Sequence, residues 1–432
     1  MTARPDLADR ARRRITLRLM PFLTLAYITA YLDRANISIA KLQMQGALNL
    51  DDRAIGLGAG IFFVGYFLLE IPGALIVERW SARKWLARIM LTWGLVAVLS
   101  GFLGITPIGL SLSAQFYWLR FLLGTAEAGF FPGVVVYLSH WFLRHDRAAA
   151  KAWFMIAQPL SVVIGLPVSR WILETVHWYG LPGWRWVFIL EGIPPVVLGF
   201  VTLRYLTDRP SQAKWLPAEE KHMLVEELAR EQSALTSAGR VGILAAFRQP
   251  QTLLLIMSYF LITAGNQAIL FFLPSITDNM KSLSIAARTL VTTLPYVFSI
   301  VGILLNGYLA RRTGRAVLHT ALPMCLGGIS LTLAILSGNH LALEILFLCI
   351  VGVTFQSFLP AFWSIPSSYL GKSAAATAIG LINSLGNLGG FAGPFLFGYL
   401  RTATGSYQAG LWFLTGCMFM AGAVAACIRV RR

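Results

Sequence analysis

Ala74-Leu-Ile-Val-Glu-Arg-Trp-Ser-Ala-Arg-Lys84 closes one long apolar run, and Gly307-Tyr-Leu-Ala-Arg-Arg-Thr-Gly-Arg315 closes another in the second half of the chain. In both, a small residue lies four positions before a charged pair, and more basic residues follow. The echo reads as one unit used twice, with a short basic loop at the same membrane face in each copy. Working outward from these loops, the sequence resolves into apolar runs of about 20 residues, each long enough to cross a hydrocarbon core of roughly 30 Å as a helix. The runs fall at 19–40, 55–77, 85–105, 114–142, 152–177, 185–206, 251–273, 288–310, 317–337, 342–362, 373–400 and 410–428. This pattern predicts an all-α membrane protein, with twelve transmembrane helices in two pseudo-symmetric six-helix bundles.

Composition excludes a soluble alternative: 56% of the 432 residues are hydrophobic and 13% charged, more apolar surface than a soluble domain could hide. The net charge of +17 could point to nucleic acid, but its distribution points to a bilayer instead. With the N-terminus inside, the inner segments hold 27 Lys and Arg, whereas the outer loops hold five: Lys41, Arg53, Lys281, Arg288 and Arg401. That asymmetry sets both termini on the cytoplasmic side of the cell's inner membrane. The basic run Arg10, Arg12, Arg13, Arg14 and Arg18 is read as a topology anchor. The first apolar run is of span length and lacks a cleavage site, so it is read as a retained span and not a signal peptide. Cys325, Cys349, Cys417 and Cys427 lie within spans without paired spacing, and no two histidines share a helix face at ligand spacing, so neither disulfide nor metal is expected.

The longest hydrophilic stretch separates residues 1–206, a first six-helix half, from residues 251–432, a second. Within this 207–250 linker, Pro217-Ala-Glu-Glu-Lys-His-Met-Leu-Val-Glu-Glu-Leu-Ala-Arg carries Leu224 and Leu228 at helical spacing and predicts a short cytoplasmic helix. A duplicated unit with its site between the halves is the architecture in which rocking of one half gives alternating access.

The two loop stretches resemble the motif Gly-x-x-x-Asp-Arg-x-Gly-x-Arg of the major facilitator superfamily. Ala74, Glu78 and Ser81 replace three of its positions, and Arg311 occupies the acidic position of the second copy. The resemblance sharpens with Tyr31-Leu-Asp-Arg-Ala-Asn-Ile-Ser38, Arg120-x-x-x-Gly-x-x-Glu-Ala-Gly-x-x-Pro-Gly133, Asp208-Arg-Pro-Ser-Gln-Ala-Lys-Trp-Leu216, Ala361-Phe-Trp-Ser-Ile-Pro366 and Ile382-Asn-Ser-Leu-Gly-Asn-Leu-Gly-Gly390. Together these are similar to the anion:cation symporter family, which includes bacterial carriers of sugar acids, tartrate, phthalate and aromatic acids. The resemblance implies a proton-coupled importer of an organic anion that is not an enzyme, needs no cofactor beyond protons and works as a monomer in the lipid bilayer. An exporter or exchanger of hydrophobic compounds is the competing reading.

An ionisable residue in mid-membrane costs at least about 2.5 to 3.5 kcal/mol, so each is a functional candidate. Asp33, Arg34, Arg120 and Glu127 stand well inside spans of the first half, and the second half is expected to hold none. Arg34 lies sixteen residues past Arg18, roughly 24 Å along a helix. Its planar fork suits a substrate carboxylate. Ion pairs Asp33–Arg34 or Asp33–Arg120, or an Arg120–Glu127 packing cluster, are the plainer readings of the same residues. Arg120 and Glu127 share a helix face with Gly124, which leaves room for another backbone to approach. Desolvation favours a neutral carboxyl and a nearby guanidinium favours a charged one, so an arriving anion can switch its protonation. The resemblance assigns proton coupling to Asp33 and Glu127.

Neutral polar groups stand opposite in the second half: Asn266, Gln267, Gln356, Trp363, Asn383, Ser384 and Asn387. Each could be helix glue, and as a set they suit a polar substrate. The resemblance implies Tyr31, Tyr66, Gln158, Trp363 and Asn383 as substrate contacts, with Arg120, Asn266 and Gln267 nearby. It also implies that Glu78, Arg79 and Arg83 latch the halves on the cytoplasmic side.

Overall fold

The computed structural model describes residues 3–105, 109–236, 249–338, 340–369 and 372–429. Among these every regular element is helical. The first half comprises α1 (Ala3–Leu48), α2 (Asp52–Arg79), α3 (Ala82–Ser100), α4 (Leu112–Glu127), α5 (Phe130–Ser139), α6 (Arg144–Thr175) and α7 (Gly183–Tyr205). The amphipathic stretch after it is helical as α8 (Ala218–Thr236). The second half comprises α9 (Pro250–Asp278), α10 (Ile285–Thr313), α11 (Ala316–Leu336), α12 (Leu341–Phe355), α13 (Leu359–Phe362), α14 (Pro366–Tyr369), α15 (Lys372–Asn387), α16 (Gly389–Thr404) and α17 (Tyr407–Ala426).

Ten stretches are long and apolar enough to cross a membrane, counting α4 with α5 and α12 with α13 as single crossings. The other two crossings are α3, whose first turns carry Arg83, Lys84 and Arg88, and the tandem α15 and α16. Helix starts at the membrane faces are capped by local side chains. Asp51 accepts from the Ala54 N–H, Ser81 from Lys84, Ser111 from Ala114 and Ser284 from Ala287.

Where the sequence predicts one run at 114–142, the chain breaks between α4 and α5. Ala128 is extended and Gly129 takes φ +85, a left-handed conformation suited to glycine. A side chain at Gly129 would meet the Cα of Gly73, so α2 and this break touch backbone to backbone. Gly124 performs the predicted service a turn earlier, against the α2 backbone at Phe62.

The halves meet along two symmetry-related seams, α2 on α16 and α6 on α10. Gly56 packs on Pro394, Gly60 on Phe391 and Gly398 on Asp52. These contacts lie towards the face opposite the chain termini, which is closed by cross-half polar contacts. Arg170 Nη2 pairs with Asp278 at 2.9 Å, and Arg288 Nη1 reaches the same oxygen at 3.1 Å. Arg401 lies 3.8 Å from Asp52, and the Arg53 N–H donates to Thr402 Oγ1 at 3.1 Å.

Candidate functional site

Behind this closed face, α1, α2 and α4 bring the predicted charges into one cluster. Arg34 Nε and Nη2 both converge on Glu127 Oε1, at 2.7 and 2.6 Å. The pairing is neither of those anticipated for Arg34 or Glu127. Asp33 and Arg34 point apart, as adjacent helical residues must, and Arg34 reaches across to the last residue of α4. Its guanidinium is also caged by rings, 4.8 Å from the centre of Tyr66, 5.0 Å from Tyr31 and 5.3 Å from Phe62. The Arg34 side chain keeps 12% exposure while that of Glu127 has 1%, so the arginine is the more accessible member of the pair.

Asp33 is buried and accepts a hydrogen bond from Asn36 Nδ2 at 3.0 Å. Arg120 is buried over the Phe62 ring, and its Nε donates to the Gly58 carbonyl at a long 3.4 Å. It forms no ion pair within 4 Å among the described residues, so Asp33–Arg120 and Arg120–Glu127 salt bridges are replaced by Arg34–Glu127. Arg120 Nη1 and Nη2 find no hydrogen-bond partner, nor does Glu127 Oε2. The cluster therefore holds donors and acceptors in reserve.

The remaining predicted contacts divide. Tyr66 is buried in the cage, and Tyr31 packs edge-on against Tyr27. Asn383 reaches across the seam and donates to Glu70 Oε1 at 2.6 Å. Trp363 packs edge-on against Tyr259, which stacks on Phe362. Asn266 donates to the Phe355 carbonyl at 3.0 Å, tying α9 to the end of α12 as the helix-glue reading expects. Gln158 and Gln267 are half-buried on α6 and α9. Arg83 joins parts of the first half to each other: its backbone N–H donates to Asp208, and its Nη1 to the Leu203 carbonyl. A latch between the halves at Arg83 is thus not formed here, and the side chains of Glu78 and Arg79 lie outside the described residues.

A family model described as Major Facilitator Superfamily matches residues 23–394. The chain belongs to the Major Facilitator Superfamily. A putative tartrate transporter of Agrobacterium vitis is 40% identical to this superfamily member, over 97% of this chain and 94% of the relative. A quinolone resistance transporter of Acinetobacter baumannii is 35% identical over 93% and 91%. Among solved structures, a D-xylose-proton symporter superposes with a TM-score of 0.74 at 18% identity, over 95% of this chain and 97% of that one, a likeness of fold. As a Major Facilitator Superfamily member the chain is a multi-pass membrane transporter.

This superfamily chain also buries ionisable groups that sequence reasoning passed over. Glu70 sits four residues after Tyr66 on the same face of α2, and the signal was one acid in Phe67-Leu-Leu-Glu70-Ile. Glu191 is buried in α7 against Ser169. Arg170 spans the seam described above. Lys41, assigned to an outer loop by its charge and position, is instead a fully buried α1 residue. Its Nζ lies 3.8 Å from the Phe272 ring centre on the other half and has no hydrogen-bond partner. In the second half His319 is buried and Glu344 half-buried, each in the first turn of its helix, α11 and α12, and so at a span end.

The Phe272 face returns about 2 kcal/mol to a desolvated cation. Burying that charge costs several kcal/mol after relaxation, so the balance at Lys41 is unfavourable. Lys41→Met is expected to raise the melting temperature of purified protein by several degrees; an unchanged or lower value would show that the amine is satisfied.

Proposed function

We propose that this chain imports an organic anion, a carboxylate such as tartrate, a sugar acid or an aromatic acid, together with protons by alternating access. The chain termini would face the cytoplasm, in accordance with the basic residues gathered there. The observation that carries the reading is the Arg34–Glu127 pair. An arginine more accessible than its partner holds a carboxylate of the protein with two donors, so a substrate carboxylate can take the same two donors only by displacing Glu127. A buried carboxylate stripped of its guanidinium is destabilised by about 3 to 5 kcal/mol unless it is neutralised. Anion binding at Arg34 and proton binding at Glu127 are therefore linked in one exchange.

The neighbouring groups fit the same account. Tyr31 and Tyr66 stand around the guanidinium, the unpartnered nitrogens of Arg120 add positive potential near it, and Gln158, Gln267, Trp363 and Asn383 are the amide and indole groups proposed to meet the rest of the substrate. Glu70 and Asn383 join α2 to α15 beside the cluster, so movement of one half against the other breaks their hydrogen bond. The name of the tartrate carrier supports an organic anion as cargo. That of the quinolone carrier supports the competing reading, export of a hydrophobic compound, which gives no role to a caged guanidinium.

Reconstitution in liposomes tests the reading. Tartrate uptake is expected to follow an inward proton gradient and collapse with a protonophore. Tartrate uptake indifferent to the gradient, or transport of a hydrophobic cation in place of any carboxylate, would overturn it.

A further inference from the structure

Lys41 is an unpaired amine at a joint that the proposed transport cycle has to open. It lies seven residues after Arg34, two turns of α1 and roughly 10 Å further from the helix start, so the two side chains leave the same face of the helix. Its Nζ rests 3.8 Å from the centre of the Phe272 ring, and Phe272 stacks on Phe397 with ring centres 4.3 Å apart. Phe272 belongs to α9 and Phe397 to α16, so the cover over the amine is built by the second half while the amine belongs to the first. All three side chains are fully buried, at 0% exposure. One turn further along α1, Gln45 Nε2 donates to Asp52 Oδ1 at 3.0 Å, and Asp52 also faces Arg401 of the second half. That acid is therefore engaged, and the Lys41 amine keeps no hydrogen-bond partner.

An ammonium has three hydrogens to donate, and a ring face meets them from one direction only. Such a group is poorly served while the halves are closed here, and an apolar side chain of the same length would fill the space without the cost. The arrangement that satisfies it is the one in which α9 and α16 draw back from α1. Water and solutes then reach Nζ, and Arg34 lies further in on the same helix face. A solute entering from this side meets the amine before the guanidinium.

We infer that Lys41 captures the incoming anion: it is uncovered when the outer seam opens, binds a carboxylate there, and passes it along α1 to Arg34. Because covering the amine is unfavourable, Lys41 also weights the empty carrier towards the outward-open arrangement in which an anion can enter. Arg34 needs no such cover, since Glu127 serves as its anion when the site is empty.

This inference rests on the carboxylate-import reading above, and the tests separate the two. In right-side-out membrane vesicles, a membrane-impermeant amine-acetylating reagent should modify Lys41 as well as the exposed Lys281, read by mass spectrometry of the digested protein, and tartrate should protect Lys41 alone. K41M should raise the external tartrate concentration for half-maximal uptake about tenfold, the lower end of what a hydrogen bond to a charged group is worth. The corresponding value from the cytoplasmic side, measured in inside-out vesicles, should not rise. K41R keeps a cation and should bring the external value back towards wild type, even though the larger group under Phe272 lowers the melting temperature. D52N should not raise the external value, because Asp52 is not the partner for which the amine is kept. A Lys41 that stays unmodified, a wild-type external value in K41M, an equal rise on both membrane faces, an external value in K41R no better than in K41M, or a D52N variant that reproduces K41M would overturn the capture site. Wild-type vesicles that take up no tartrate while Lys41 is still acetylated from outside would instead sink the carboxylate reading itself.

Discussion

Glu127→Gln is expected to abolish accumulation of organic anion driven by a proton gradient while exchange of labelled for unlabelled anion continues. The amide is close to isosteric with the acid and stays at the end of α4, but it can no longer change charge. Arg34 loses its internal anion and is left with a neutral partner, the condition that proton uptake creates in the wild type. Anion can then bind and leave on either side, and the empty carrier has no proton to release. The measurement is a pair of liposome assays, gradient-driven uptake and counterflow, on the same preparation. Equal loss of both would make the Arg34–Glu127 pair a structural bridge between α1 and α4.

Arg34→Lys is expected to weaken anion binding by roughly 10- to 100-fold, corresponding to the 1.5 to 3 kcal/mol of a hydrogen bond to a charged group. Lysine preserves the positive charge opposite Glu127, so folding should survive. What it lacks is a planar fork whose Nε and Nη2 can converge on one oxygen as they do here. Removing the charge altogether with Arg34→Ala should be worse for the protein than for the ligand, because Glu127 is then left buried without a cation. Titration of the purified variant with tartrate, followed by thermal shift, separates the two effects. Wild-type affinity in Arg34→Lys would place the anion elsewhere.

Much of this architecture could be read from the chain before any coordinates, because apolar length and basic loops are local properties. The twelve crossings, the helix in the linker and the close backbone approach at Gly124 all follow from spacing. So did the candidacy of Asp33, Arg34, Arg120 and Glu127, since a charge inside an apolar run announces itself. Partner choice was not legible. Arg34 and Glu127 are 93 residues apart, and which of two acids an arginine takes depends on how α1 and α4 cross. Lys41 was misplaced because a lysine near a span end usually marks a loop, whereas α1 continues to Leu48 and carries it into the seam. Glu70 and Glu191 announced themselves in the same way as Glu127 but lay outside the motifs that drew notice.

The breaks in the helices tell a similar story. Gly129 was part of a recognisable motif, yet its positive φ and its contact with Gly73 emerge only when α2 lies against the α4–α5 junction. Gly389 and Gly393 face the α9 backbone at Phe260 and Ala264, and the interruption at Leu388 falls beside them.

The account stands on the exchange of one carboxylate for another at Arg34, with a proton neutralising the acid that is displaced. Calorimetric titration of purified protein with tartrate, repeated in buffers of different ionisation enthalpy, measures that proton directly. The wild type should take up protons as the anion binds and bind more tightly as the pH falls, and Glu127→Gln should lose that uptake while still binding. Tartrate binding by the wild type with no proton taken up and no dependence on pH would contradict the exchange.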